Sequence, residues 1–578
     1  MKPVLILSFL FLSCYGHAQP LVTVFESSQG QSTATYHETM EYYRSLAERT
    51  PHITIKEAGL TDAGVPLHFV VLDLDAEFDF EKARKAGKTI ILINNGIHPG
   101  EPDGIEASMM LMRDYALQPQ YHALIENTIV AVIPVYNIGG ALQRNSHSRA
   151  NQNGPEEYGF RGNARNYDLN RDFIKADTKN TRAFYETFHA VDPDIFIDTH
   201  VSNGADYQYS ITHLATQHDK MGGEMGSYIE NEFTPKLEAL MGKKGTDITP
   251  YVNVFNTTPD HEGFSQFLDN PRYSTGYTTL FHTLGFMIET HMLKTFDRRV
   301  NATYHFLEAI LELAKTDGQR IRQLKVRQSE SIKPGKKHAL SWRLSKATSK
   351  QLKFKGYEGE MIESKVTGQS RLLYGRNKPF VKNIPYYNHY VPAKEVEIPI
   401  AYIIPQGWHE IIDRLKWNGV DYQLIQKDTA ITVEVYRISK YNTSSSPYEG
   451  HYRHNNVQVV VSTESVSFRK GDYIVYTDQF AGRYLVETLE PEAVDSFFSW
   501  NFFDTILQQK EHFSPYVFED VAWQLLQRDK TLRQEFEAKK KVNSEFANNW
   551  YAQLDFIYRH SEYYEKAHMV YPVYRWVH

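Results

Sequence analysis

The sequence predicts an α/β layer fold in its first half, followed by a β-sandwich-like module and a C-terminal helical segment. Three observations carry that reading. From about Tyr36 to Ala314, short apolar β-branched runs alternate with helical spacing, the pattern of strands buried between helix layers. The cluster Lys333-Pro334-Gly335-Lys336-Lys337 then punctuates the chain as a linker. Beyond it, short segments rich in Val, Ile and Tyr run to about Thr488, and helical spacing returns from Pro491 to Lys566.

The elements follow in order. Thr89–Asn94 (TIILIN) is a buried strand, and the helix Ile105–Tyr115 succeeds it. Ile129–Val135, Asp194–Asp198 and Phe286–Ile288 read as further buried strands, apolar on both faces as in parallel sheets. Asn301–Lys315 is an amphipathic helix that closes the unit. In the second half, Glu395–Ile404, Ile431–Ile438 and Val457–Val461 read as strands, and Phe518–Arg528 and Leu532–Lys541 as helices.

A chain of 578 residues exceeds a single core, which stops growing near ~250–300 residues. With 41% hydrophobic and 23% charged residues it is neither disordered nor a membrane bundle. A net charge of −7 without a basic patch disfavours nucleic acid as a partner. Lys2, the apolar run Val4–Tyr15 and Gly16-His17-Ala18 have the order of a secretory signal peptide, cleaved after Ala18. Cleavage would remove Cys14, the single cysteine, so the secreted chain would hold no disulfide. The expected segments are a signal peptide at 1–18, a catalytic domain at 19–332, a β-rich accessory domain at 338–490 and a helical region at 491–578.

Four short stretches carry the chemistry, and three of them stand where a predicted strand ends, the place at which open α/β sheets bind ligands. Asn94-Asn95-Gly96-Ile97-His98-Pro99-Gly100-Glu101 follows the strand TIILIN, and its His98 and Glu101 can aim at one metal ion. His305 and Glu308 have the same spacing but sit in an amphipathic helix, where surface and core contacts account for them. Arg161 to Arg171 reads as a polar loop containing Asp168-Leu169-Asn170-Arg171. Ile195–His200 delivers a His at a strand end, and Phe286–His291 delivers Glu289. Singly, each has an ordinary reading, such as a core histidine or a loop salt bridge.

Together and in this order these residues resemble the zinc carboxypeptidase family, the carboxypeptidase A and B type. The resemblance covers about Tyr36 to Lys315 and implies a mixed sheet flanked by helices. It implies one zinc ion per chain, held by His98, Glu101 and His200, with the fourth position open to water. It implies Glu289 as general base, Arg161 as the oxyanion partner, Asp168 behind His98, and Asn170 with Arg171 on the substrate's terminal carboxylate. Arg165 is the alternative to Arg161, and either Tyr273 or Tyr277 would cap the substrate. The Pro447–His451 and Trp500–Asp504 regions look like accessory modules of bacterial secreted members.

The implied activity is removal of C-terminal residues from peptides. Two alternatives stand beside it: a peptidase or amidase acting on cell-wall peptides with the same zinc core, and a non-catalytic glycan- or peptide-binding protein on a peptidase scaffold. A zincin would need H-E-x-x-H, and His261-Glu262 and His409-Glu410 both lack the second His. No G-x-S-x-G is present, and Ala86-Gly87-Lys88-Thr89 lacks the first glycine of a phosphate loop.

Overall fold

The computed structural model describes residues 20–577. The expected leader, its cleavage position after Ala18 and Cys14 lie outside them. Helix α1 (Tyr36–Arg49) opens on a capping box in which Thr35 and Glu38 satisfy each other's backbone N–H groups. The first half continues with β1 (Ile53–Leu60), β2 (Pro66–Leu72), β3 (Thr89–Asn94), α2 (Asp103–Leu117), β4 (Thr128–Ile133), α3 (Lys179–Val191) and β5 (Ile195–Ser202). It then runs through β6 (Ile211–Ala215), α4 (His218–Met221), β7 (Ile248–Pro250), β8 (Phe264–Ser265), α5 (Ser274–Thr279), β9 (Leu284–His291) and α6 (Phe296–Ser329).

Eight of these strands form one sheet in the order β1-β2-β4-β3-β5-β9-β6-β7. Its centre, β4-β3-β5-β9, is parallel, β2 runs antiparallel to β1 and β4, and the parallel pair β6-β7 joins β9 antiparallel, so the sheet is mixed. Every residue of β3, β4 and β5 is buried, which is why those strands read as continuous apolar runs. Ile91 and Ile93 pack on one side of the sheet with α1, α2 and α6, while Ile90 and Leu92 pack on the other with Phe184 and Phe188 of α3. Strand β5 extends past the expected Asp198 because its pairing with β9 continues through His200↔Glu289 to Ser202↔His291. Helix α6 runs well beyond the expected Lys315. Gly318 lets it lie against Thr89, where a Cβ would fall 1.9 Å from the hydroxyl, and Ile321 and Leu324 prolong its buried stripe.

The second half holds β10 (Lys337–Leu344), β11 (Lys350–Glu363), β12 (Ser370–Tyr387), β13 (Tyr390–Glu397), β14 (Ala401–Ile404), α7 (His409–Trp417), β15 (Gln423–Leu424), β16 (Thr429–Thr443), β17 (His454–Phe468), β18 (Tyr473–Tyr476) and α8 (Gly482–Leu489). The segment expected as one strand, Glu395–Ile404, is divided between β13 and β14 at Pro399, which has no N–H for a ladder. Helices α9 (Pro515–Arg528), α10 (Lys530–Val542) and α11 (Trp550–Arg559) share a small core of their own, and β19 (Tyr574–Trp576) ends the described chain. The β strands form a β10-β13 pair, a sheet β11-β12-β8 and a six-stranded sheet β15-β18-β14-β19-β16-β17. One hydrophobic core joins the two halves: Phe173, Phe184, Tyr277 and Phe281 pack with Tyr484, Leu485, Trp500 and Tyr571.

Candidate active site

Three strand ends of the central sheet converge on one cleft of about 460 Å³. After β3 the chain turns at Gly96, whose φ of +64° lies in the left-handed region that glycine adopts without steric cost. A four-residue turn follows in which the Glu101 N–H donates to the His98 carbonyl at 2.8 Å. Pro99 occupies its second position, where a fixed φ suits a turn. His98 and Glu101 thus stand at the two ends of one turn and face one point. Strand β5 brings His200, and parallel register places Glu289 of β9 directly beside it.

His98, Glu101 and His200 are all buried, and their donor atoms are mutually close. The two Nδ1 atoms lie 3.2 Å apart, His200 Nδ1 lies 3.1 Å from Glu101 Oε2, and His98 Nδ1 lies 3.3 Å from Glu101 Oε1. The far nitrogen of each ring is engaged by a carboxylate: His98 Nε2 with Asp168 Oδ1 and His200 Nε2 with Asp198 Oδ2, both at 2.9 Å. When both Nε2–H groups donate outward, both Nδ1 lone pairs point inward, and a positive charge must lie between them at 3.2 Å. A tetrahedral zinc with bonds of about 2.0–2.1 Å has ligand–ligand edges of about 3.3–3.4 Å. The two-nitrogen, one-oxygen set and its spacing therefore fit zinc, and the carboxylate behind each imidazole is the usual support for such ligands.

Cations surround the cluster. Arg149 Nη1 lies 2.7 Å from Glu101 Oε1, and its other nitrogen donates to the Val201 carbonyl. Burial alone would raise the Glu101 carboxyl, but Arg149 and the two imidazoles hold it well below its ordinary range. Arg161 donates to Asp168 Oδ2 at 2.9 Å and lies 3.5 Å from Glu101. Glu289 lacks so close a partner. Burial, reinforced by the Glu101 charge, pushes it up to about 7 against the pull of His200, Arg149 and Arg161.

The structure brings His98, Glu101, Arg161, Asn170, Arg171, His200 and Glu289 to the walls of this single cleft. Arg171 lies 4.7 Å over the ring of Tyr273, which also lines the cleft, and Asn170 Oδ1 accepts the Ser274 N–H, turning its amide nitrogen away from that bond. Arg165 is turned elsewhere, donating to the Asp177 carbonyl. Tyr277 is wholly buried in the aromatic core, its hydroxyl on Asn418. His305 bonds to Thr246, and Glu308 accepts from Tyr115 and Lys244, so that pair is structural. Sequence reasoning missed three residues. Arg149 and Tyr251 line the cleft from loops without motif spacing. Glu449 reaches in from the second half, accepting the Asp168 N–H at 2.9 Å.

Residues 39–221 match the family model described as zinc carboxypeptidase. The match takes in both histidines and Glu101 but ends before Glu289. The chain is 22% identical over 497 residues to "Carboxypeptidase 2" of Trichophyton rubrum, covering 82% of this chain and 85% of the relative, and equally to that of Trichophyton equinum. Among solved structures, a metallo-carboxypeptidase from Burkholderia cenocepacia aligns over 49% of this chain and 70% of its own, at 17% identity and a TM-score of 0.37. Fold and site define a zinc-dependent metallopeptidase. The matched segment, residues 39–221, is a domain of the zinc carboxypeptidase kind.

Proposed function

We propose that the protein hydrolyses the C-terminal peptide bond of peptide substrates, with His98, Glu101 and His200 as the zinc ligands. The observation that carries this is the register pairing of His200 with Glu289, which sets a carboxylate of raised pKa beside a His-Glu-His donor set. Zinc held there supplies a Lewis acid for the scissile carbonyl and lowers the pKa of water. Glu289 accepts the proton of the attacking water and returns it to the leaving amine. Arg161, on the cleft wall beside Glu101, stabilises the charge that develops on the carbonyl oxygen. Asp168 holds the His98 ring through Nε2 and anchors Arg161, so one carboxylate orients both.

Arg171 receives the substrate's terminal carboxylate through a two-pronged charge-assisted bond, assisted by the Asn170 amide. Tyr273, stacked against Arg171, caps the substrate. The n-h-c order of residues 1–18 supports secretion, and N-terminal sequencing of the exported protein tests it. The segments 19–332, 338–490 and 491–578 are units of composition that share one hydrophobic core. A panel of C-terminally free peptides, blocked peptides and muropeptides, assayed with zinc-loaded protein, tests the activity. Release of single C-terminal amino acids from free peptides alone is the expected result, and its absence overturns the reading.

A further inference from the structure

A second group of metal-ligating side chains lies away from the cleft, where α4 meets the turn between β12 and β13. His218 and Asp219 open α4, and His389 occupies the two-residue turn after Tyr387. His218 Nε2 lies 3.3 Å from Asp219 Oδ2 and 3.4 Å from His389 Nδ1, and the Asp219–His389 edge is 3.7 Å. Those three edges bracket the ~3.4 Å expected for a tetrahedral ion with bonds near 2.1 Å. They also approach the 3.1–3.3 Å edges of the cleft cluster.

The support of His218 repeats the pattern of the first cluster. His218 Nδ1 faces Glu230 Oε2 at 3.5 Å, which favours the tautomer whose Nε2 lone pair points at the other two donors. Glu230 is in turn held by Asn388 Nδ2 at 2.9 Å and by Lys350. Asp219 Oδ2 is fixed by the Tyr390 N–H at 2.8 Å and by Gln217 at 3.1 Å. His218 is buried, whereas the side chains of Asp219 and His389 are 28% and 41% exposed. An ion held here would thus face solvent on one side, where water completes its coordination.

We infer that His218, Asp219 and His389 form a second site for a divalent transition metal of the zinc type, in addition to the ion of the cleft. Two imidazoles and one carboxylate suit zinc and its neighbours better than calcium or magnesium, which prefer oxygen. The site is a staple. It ties α4, which follows β6 of the large sheet, to a β-turn contributed by the second half. The same turn leads to Tyr390, whose hydroxyl donates to the Gln266 carbonyl at 2.6 Å, and Tyr386–Tyr387 pair with β8. Gln266 adjoins Phe267, a wall of the cleft. The turn thus links the second site to a cleft wall, while the protein contacts along it hold that wall without the ion.

The test uses the full chain, stripped with chelator and re-equilibrated with zinc alone. Elemental analysis after gel filtration should find two zinc ions per wild-type chain and one in His389→Ala. Because His389 sits in a partly exposed turn, that variant is expected to fold and to keep small-peptide turnover within about threefold at saturating zinc. His98→Ala/His200→Ala should retain one ion, and adding His389→Ala should remove it. Zinc should also raise the melting temperature of His98→Ala/His200→Ala by several degrees, but not that of the triple variant. A wild-type content of one zinc, or an unchanged content in His389→Ala, overturns the assignment.

Discussion

The backbone N–H of Asp168 donates to the carboxylate of Glu449, 281 residues later in the chain, at 2.9 Å. Asp168 in turn orients His98 and anchors Arg161, and it opens the short turn that carries Asn170 and Arg171. A residue of the second half therefore holds the loop that carries the proposed substrate-binding pair. His451 reinforces this contact through Asp177 at 2.8 Å. Glu449→Ala is expected to lower kcat/KM by roughly ten- to a hundredfold, since a hydrogen bond to a charged group contributes about 1.5–3 kcal/mol. Glu449→Gln, which keeps an acceptor oxygen without the charge, should recover part of that loss. Steady-state kinetics of both variants check this, and equal losses would show that Glu449 acts by charge and not by accepting this bond.

Glu289→Gln should retain zinc and fold but lose about 10²–10⁴-fold in turnover. Burial raises the carboxyl to about 7, and it works as a base only when ionised. Activity should therefore fall as pH drops through its pKa. Zinc beside it adds an attractive charge, so the acid limb of kcat/KM in the loaded enzyme is expected below pH 7. The pH–rate profile gives the midpoint, and an acid limb above pH 7 would contradict the argument.

Arg171 should distinguish a carboxypeptidase from an endopeptidase. Wild type is expected to prefer a peptide with a free C-terminal carboxylate over its amide by at least roughly tenfold, about 1.4 kcal/mol. Arg171→Ala should erase most of that preference by slowing the free acid, and Arg171→Lys should restore only part, because a point charge lacks the planar fork. Equal cleavage of both substrates by wild type would exclude C-terminal recognition.

Acid should destabilise the fold partly through two buried histidines. Burial holds His189 down at about 4 and His282 at about 3, against an ordinary value of 6.5. Their contribution is complete above about pH 6.5 and is lost as pH falls through that range toward 4 and 3. Asp194, raised by burial to about 6, acts in the opposite direction below pH 6, but it is one group against two. His282 has a φ of +60°, which Asn tolerates. Melting curves between pH 7 and 4 should show His282→Asn gaining on wild type as pH falls, and parallel curves would refute the assignment.

A fragment ending near Ser331 is expected to be insoluble or inactive, since it would expose the face on which Phe184, Tyr277 and Phe281 meet Tyr484 and Trp500. Cleavage of the exposed Lys336–Lys337 region in the folded chain should, by contrast, leave the two pieces together on gel filtration. Separation into two soluble pieces would contradict the shared core.

Much of the catalytic sheet was legible because its strands are buried on both faces and so read as unbroken apolar runs. The metal cluster was legible for a related reason: each ligand follows such a run, and His98 and Glu101 share one turn. Arg149 and Tyr251 carry no such signal, because their positions come from irregular loops folded over the cleft. Glu449 and the His218–His389 pair depend on contacts across 281 and 171 residues, which no local pattern records. Helices α7 and α8 escaped notice among the β-rich segments because they are short, at nine and eight residues. The choice between Tyr273 and Tyr277 needed tertiary packing, since both precede Glu289 at suitable distances and only the fold buries one of them.

Strand β19 lies inside the six-stranded sheet, between β14 and β16, with Ala401 pairing Trp576 and Glu434 facing Arg575. The sheet cannot close in the order in which the ribosome delivers it. After β14 leaves the exit tunnel, β19 arrives on the order of ten to thirty seconds later at ordinary rates of synthesis. Until then β14 and β16 present open edges, and Tyr571 and Val573 are missing from the core they share with the catalytic half. The nascent chain thus waits with His98, Glu101 and His200 already made and the sheet of its second half still unsealed.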